Sequence, residues 1–122
     1  MIRIAIVDDH QMVRQGLHQL LNFAGDMLVV GQACDGLQAV DLCAKLTPDV
    51  VVMDVAMPNM DGITAGQMIC QQNPNIKVVM YSALIDEETR QAAIRAGAQK
   101  VLSKNVPTDE ILETIRAVCG DV

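Results

Sequence analysis

Four apolar runs end in side chains that suit a single phosphoryl site. Ile4-Ala5-Ile6-Val7 runs into Asp8 and Asp9, Val50-Val51-Val52-Met53 into Asp54, Val78-Val79-Met80-Tyr81 into Ser82, and the shorter Val101-Leu102-Ser103 into Lys104. In an open parallel sheet, ligands lie outside the carboxyl ends of the strands, where the strand order reverses. Such a sheet would gather three carboxylates, a hydroxyl and an ammonium. Two like charges about 4 Å apart repel by about 4 kcal/mol at an effective dielectric of about 20, so Asp8, Asp9 and Asp54 require a compensating cation. Magnesium suits them best: it takes oxygen ligands, keeps several waters, and is held by one or two carboxylates plus a phosphate oxygen. No Cys or His cluster at metal-ligand spacing competes for a softer ion.

A carboxylate can attack phosphorus to form an aspartyl-phosphate once its charge is shielded, and Asp54 stands between the other charges. Lys104 would neutralise a phosphoryl oxygen as a point charge, and the Ser82 hydroxyl would donate to another. Singly, Ser82 or Lys104 reads as an ordinary strand-end residue, and one of Asp8 and Asp9 as a helix cap. Capping does not account for the third carboxylate or the lysine, so the joint placement carries the functional reading. His10 and His18 share a predicted helix without a His or Cys partner at ligand spacing. His10 therefore acts at most from behind the ligands.

Strand and helix patterns alternate from end to end in five rounds, the signature of βαβ units and a sheet covered on both faces. The first strand is expected at about 3–7, followed by a helix with Val13, Leu17, Leu20, Leu21 and Ala24 on one apolar stripe. After a second strand near 28–33, Asp35-Gly36 opens a helix with Val40, Cys43 and Ala44 inward, stopped before Pro48. The third strand, 50–53, is apolar without alternation, as a strand buried on both faces should be. Asp61-Gly62 starts a helix with Ile63, Gly66, Ile69 and Cys70 packed, and the fourth strand covers about 77–81. Helix four, about 86–96, rests chiefly on Ala92, Ala93 and Ile94, a thin face that predicts weak docking. Strand five spans about 100–103, and the last helix runs from Pro107-Thr108 through Ile111, Leu112, Ile115 and Val118 to Gly120.

A chain of 122 residues, 51% of them hydrophobic, fits one domain over residues 1–122 with a single core. The formal net charge of −6 and pI near 4.6 argue against this chain holding nucleic acid or an anionic membrane by itself. Cys34, Cys43, Cys70 and Cys119 have no Cys-x-x-Cys pair, no secretory signal precedes the first strand, and no apolar run approaches the ~20 residues of a membrane span. These features predict free thiols and a cytoplasmic, soluble protein. With Phe23 and Tyr81 the only aromatics, the eight methionines are expected to fill the core beside Ile, Leu and Val.

At these residues the chain resembles the receiver domains of two-component response regulators, from Ile2 to the fifth helix. The resemblance is carried by Val7-Asp8-Asp9-His10, by the block from Val52 to Gly62 containing Asp54, Met57-Pro58 and Asp61-Gly62, by Tyr81-Ser82-Ala83, and by Ala96-Gly97-Ala98 leading to Lys104. The run Gln11-Met12-Val13-Arg14-Gln15-Gly16-Leu17 after His10 is similar to the NarL/FixJ subfamily, whose receivers are joined to a LuxR-like helix-turn-helix output domain. The resemblance implies a flavodoxin-like, CheY-like (βα)5 sandwich with strand order 2-1-3-4-5. It implies Asp54 as phosphoacceptor, and Asp8, Asp9, Asp54 and the Ala56 carbonyl at magnesium. Ser82, the Ala83 amide and Lys104 would hold the phosphoryl group. It further implies a histidine kinase as donor, a phosphorylation-dependent homodimer, and control of transcription through a helix-turn-helix domain that this chain does not carry. The chemistry would be self-directed switching rather than conventional turnover.

Strand five departs from the family pattern, with Lys100 and Val101 where members often carry a glycine and an aromatic, and Asn105 where many have proline. A swinging aromatic at Val101 and a cis peptide before Asn105, which would cost about 3–4 kcal/mol, are therefore not expected. Three rivals are weaker. A haloacid-dehalogenase-like enzyme needs a second acid where this chain has Ala56, and a flavodoxin phosphate loop would be repelled by Asp8 and Asp9. A phosphorylation-independent pseudo-receiver acting as a binding module would not need the intact acids, hydroxyl and lysine.

Overall fold

The computed structural model describes residues 1–83 and 85–120. Leu84, between the fourth strand and fourth helix of the sequence reading, and Asp121 and Val122, at the end of the expected domain, lie outside the described residues. Strands and helices alternate as β1 (Ile2–Val7), α1 (Gln11–Phe23), β2 (Met27–Ala33), α2 (Gly36–Leu46), β3 (Val50–Asp54), α3 (Gly62–Gln72), β4 (Lys77–Ser82), α4 (Glu87–Arg95), β5 (Lys100–Ser103) and α5 (Thr108–Cys119). The strands form one parallel sheet in the order β2-β1-β3-β4-β5. From β1 the chain first moves to one edge, then returns to build the other half. The direction of winding therefore reverses between β1 and β3, where the acids lie.

Every residue of β3 is buried, which explains its unbroken apolar run, whereas Leu28 on the edge strand β2 is 46% exposed. Side-chain alternation divides the interior into two layers. Ala5, Val7, Val51, Met53, Val78, Met80 and Val101 pack against Ala39 and Cys43 of α2, Ala65 and Ile69 of α3, and Ala93 of α4. On the opposite face Ile4, Ile6, Val50, Val52, Val79, Tyr81 and Leu102 pack with α1 and α5, chiefly through Leu21 and Ile115.

Helix starts follow the acids. Asp35, Asp61 and Asp86 accept hydrogen bonds from the backbone N–H groups of Gln38, Thr64 and Thr89 at 2.8, 2.7 and 2.7 Å. At α1 the N-cap is His10, with no side-chain cap, so neither Asp8 nor Asp9 serves as the cap. Gly62 tucks its backbone against Asp54: a Cβ there would collide with the Asp54 carbonyl oxygen. The helix thus begins directly beneath the end of β3.

Four expected packing positions are corrected. Ala44 is exposed, and Ala39 with Cys43, one turn apart, forms the buried line of α2. Ile94 is 48% exposed, leaving Ala93 as the buried residue within α4. In both helices one step of about 100° carries the next residue off the core face. Met27, Met53 and Met80 are buried as expected of core filling, but Met1 and Met12 are 76% and 83% exposed. No helix among the described residues is long and apolar enough to cross a membrane.

Candidate phosphoryl and metal site

The register that builds the sheet also assembles the site. Val7 pairs with Met53, Asp54 with Tyr81, and Ser82 with Ser103, so the four strand ends finish at one level. Asp8, just past β1, is fully buried, and Asp54 at the end of β3 is 2% exposed. Lys104 bridges them, its Nζ lying 3.1 Å from Asp8 Oδ2 and 3.0 Å from Asp54 Oδ2. Asp9 is exposed, at the mouth.

Each carboxylate has its own set of donors. Asp8 Oδ1 accepts from the His10 backbone N–H at 2.8 Å and lies 3.1 Å from the ring Nδ1, while Oδ2 accepts from the Tyr81 hydroxyl at 2.5 Å as well as from Lys104. Asp54 accepts from Lys104 and, at 3.2 Å, from the Ala56 N–H. The two acids consequently titrate in opposite directions. Burial works to raise Asp8, but the bonds from Tyr81, His10 and Lys104 together hold it below the ordinary carboxylate range. Burial raises Asp54, and its bond to Lys104 does not offset that cost together with the nearby Asp8 charge. Lys104 is pulled down by burial, yet its bonds to Asp54 and Asp8 raise it, so it stays an ammonium. Burial, with Asp8 next, pushes the Tyr81 phenol upward, keeping it a neutral donor.

Oxygens of Asp8, Asp9 and Asp54 and a ring nitrogen of His10 lie within 4.8 Å of one another. Three carboxylates against one ammonium leave a net negative pocket of hard oxygen donors, a set that fits magnesium better than a softer ion. His10 Nδ1 lies 3.1 and 3.2 Å from Asp8 and Asp9 on the exposed side of the cluster, which puts it among the candidate ligand atoms. Ser82 is 9% exposed, and its carbonyl accepts from the Lys104 N–H at 2.9 Å, tying β4 to the lysine's backbone. Ala83 is exposed beside it, and Ala56 is exposed in the loop after β3. All the residues singled out from the sequence thus converge on one end of the sheet.

Tyr81 is the participant that sequence reasoning missed, because it reads as the last apolar residue of a core strand. Alternation was the available signal: Tyr81 shares the face of Val79, and continuing Ile4-Ile6 and Val50-Val52 by two residues puts Asp8 and Asp54 on that face too. Ser82 falls on the other. The peptide bonds among the described residues are all trans, including that before Asn105, and Val101 is 5% exposed in the α2–α3–α4 layer.

A family model described as the response regulator receiver domain matches residues 4–116. The transcriptional regulatory protein LiaR of Bacillus subtilis is 41% identical over 96% of this chain, which spans 56% of LiaR. Among solved structures, the signal receiver domain of the response regulator NarL from Mycobacterium tuberculosis superposes with a TM-score of 0.94 at 29% identity, covering 99% of this chain and 98% of that one. A LuxR-family two-component response regulator from Aurantimonas superposes with a TM-score of 0.94 at 31% identity, covering 98% and 86%.

Proposed function

The chain belongs to the receiver domains of two-component response regulators, of the NarL/LuxR type, and from that premise we propose that Asp54 is its phosphoacceptor. The observation that carries this assignment is Lys104 held between Asp54 and Asp8, because it places a fixed positive charge against the carboxylate whose burial cost its own hydrogen bonds do not outweigh. Asp54 Oδ attacks phosphorus as the N–P bond of a kinase phosphohistidine breaks, the electron pair staying on the imidazole nitrogen. Lys104 turns from the carboxylates to a phosphoryl oxygen, while the Ser82 hydroxyl and the Ala83 N–H donate to others. Asp9, Asp54 and the Ala56 carbonyl would hold magnesium, with Asp8 beside them. Bound there, the ion supplies positive charge that screens the acids and the phosphoryl oxygens.

Hydrolysis by water returns Asp54 and inorganic phosphate, so the chemistry resets a switch rather than converting a free substrate. Residues 1–122 act as one receiver domain in the cytoplasm, with a histidine kinase as donor and a homodimer favoured by phosphorylation. The chain spans 56% of LiaR's length, and transcriptional output through a helix-turn-helix domain is proposed by likeness to such relatives. Acetyl phosphate with magnesium should add one phosphoryl group to the wild type and none to Asp54→Asn, read by mass spectrometry. Equal labelling of the variant would remove Asp54 from the role.

A further inference from the structure

Tyr81 is the only tyrosine in a chain without tryptophan. Its hydroxyl sits inside the acid cluster, donating to Asp8 Oδ2 at 2.5 Å, and Lys104 Nζ lies 5.0 Å from the centre of its ring. Asp8 Oδ2 thus has two donors, but Lys104 is shared with Asp54. The Tyr81 hydroxyl is the donor to that oxygen that serves Asp8 alone among the described residues. The ring is not braced on every side: with Val13, Leu17 and Ile111 it lines an apolar cavity of about 150 Å³ between α1, α5 and the sheet. The bond to Asp8 therefore holds the hydroxyl end of a ring that has room to move.

We propose that Tyr81 is a positioning residue of the phosphoryl site, holding the buried Asp8 carboxylate in place behind the magnesium when Lys104 turns toward the phosphoryl group. This rests on the magnesium-assisted phosphoacceptor reading above. When Lys104 leaves, Asp8 Oδ2 would otherwise be a charged oxygen without a donor on a fully buried side chain, a costly state. The phenol fills that need without adding a positive charge that would compete with the metal.

Magnesium titration by calorimetry of wild type, Tyr81→Phe and Asp9→Ala tests the idea. Tyr81→Phe should bind magnesium about tenfold more weakly, the size expected for losing one hydrogen bond to a charged group, while its circular dichroism in magnesium-free buffer shows the fold retained. Tyrosine emission of the wild type, which needs no variant, should change as magnesium and then beryllofluoride saturate the site. Wild-type affinity in Tyr81→Phe alongside lost affinity in Asp9→Ala would overturn the role of Tyr81 and leave the metal reading standing. Wild-type affinity in both would overturn the metal reading itself, and emission indifferent to both ligands would also overturn the role of Tyr81.

Discussion

Asp8 and Asp54 are almost equally buried, yet their environments are not equivalent. Asp8 collects four polar contacts and Asp54 two, so the same desolvation is outweighed in one and not in the other. Lys104 is the cation that makes their coexistence tolerable. Replacing it by methionine leaves two buried carboxylates facing each other, and Lys104→Met should lose about 3 kcal/mol of stability in chelator. Because an ion bound to the folded state alone stabilises it by mass action, added magnesium should recover more stability in Lys104→Met than in the wild type. Urea unfolding with and without magnesium measures both; an equal gain in the two proteins would mean the ion does not compensate the acids. Cys43 shows burial acting on a group far from this chemistry, its thiol pushed up to about 12.

The loop between β3 and α3 depends on a neighbouring helix for its shape. Asp35 caps α2 and also accepts from the Asn59 side chain at 2.7 Å, while the Gly36 N–H donates to the Met60 carbonyl at 3.0 Å. Asn59 itself has a φ of 65°, a left-handed conformation that asparagine accepts more readily than most residues. The loop bearing Ala56 is therefore strapped to the start of α2 as well as packed on the core through Val55, Met57 and Met60. The Gln38 N–H, followed by Asn59, holds the Asp35 carboxyl below its ordinary value of 3.8. A lowered folded-state value means stability that is present above the ordinary value and lost as pH falls through the lowered one. Asp35→Ala should thus lower the unfolding midpoint at neutral pH, and the difference from wild type should shrink in strong acid. Thermal unfolding followed by circular dichroism across that range checks it; a pH-independent difference would assign the loss to packing instead.

Across the whole molecule, the two layers are unequally secured. α3 buries Gly62, Ala65, Gly66 and Ile69, whereas α4 buries Ala93 within its span and leaves Ile94 outside. Val101 is interior and too short to act as a swinging ring, so the proposed response to a phosphoryl group would fall on helix α4 rather than on a strand-five side chain. An element with few buried apolar contacts is the one that can shift at small cost. Beryllofluoride with magnesium should therefore move backbone chemical shifts along α4 more than along α2. Shifts confined to the residues around Asp54, Ser82 and Lys104, with no change in self-association, would favour a constitutive binding module.

The order of elements and the positions of the site acids were legible because a doubly covered parallel strand needs an unbroken apolar run. The point where Val7, Met53 or Tyr81 gives way to a polar side chain is therefore sharp. Helix faces were legible to within one residue: Cys43 and Ala93 were rightly expected inward, but Ala44 and Ile94 were wrongly placed beside them, since short helices of small residues carry little periodic contrast. What a side chain touches was not legible. Asp8 meets Tyr81 across 73 residues and Lys104 across 96, and only the sheet register brings those partners together. The sequence by itself determined a doubly wound domain with an acidic cluster at its reversal point. Tertiary packing alone decided that a core-strand tyrosine donates to one of those acids and that Asp8 and Asp54, alike in burial, differ in charge behaviour, because hydrogen-bond partners depend on three-dimensional neighbours that no local pattern encodes.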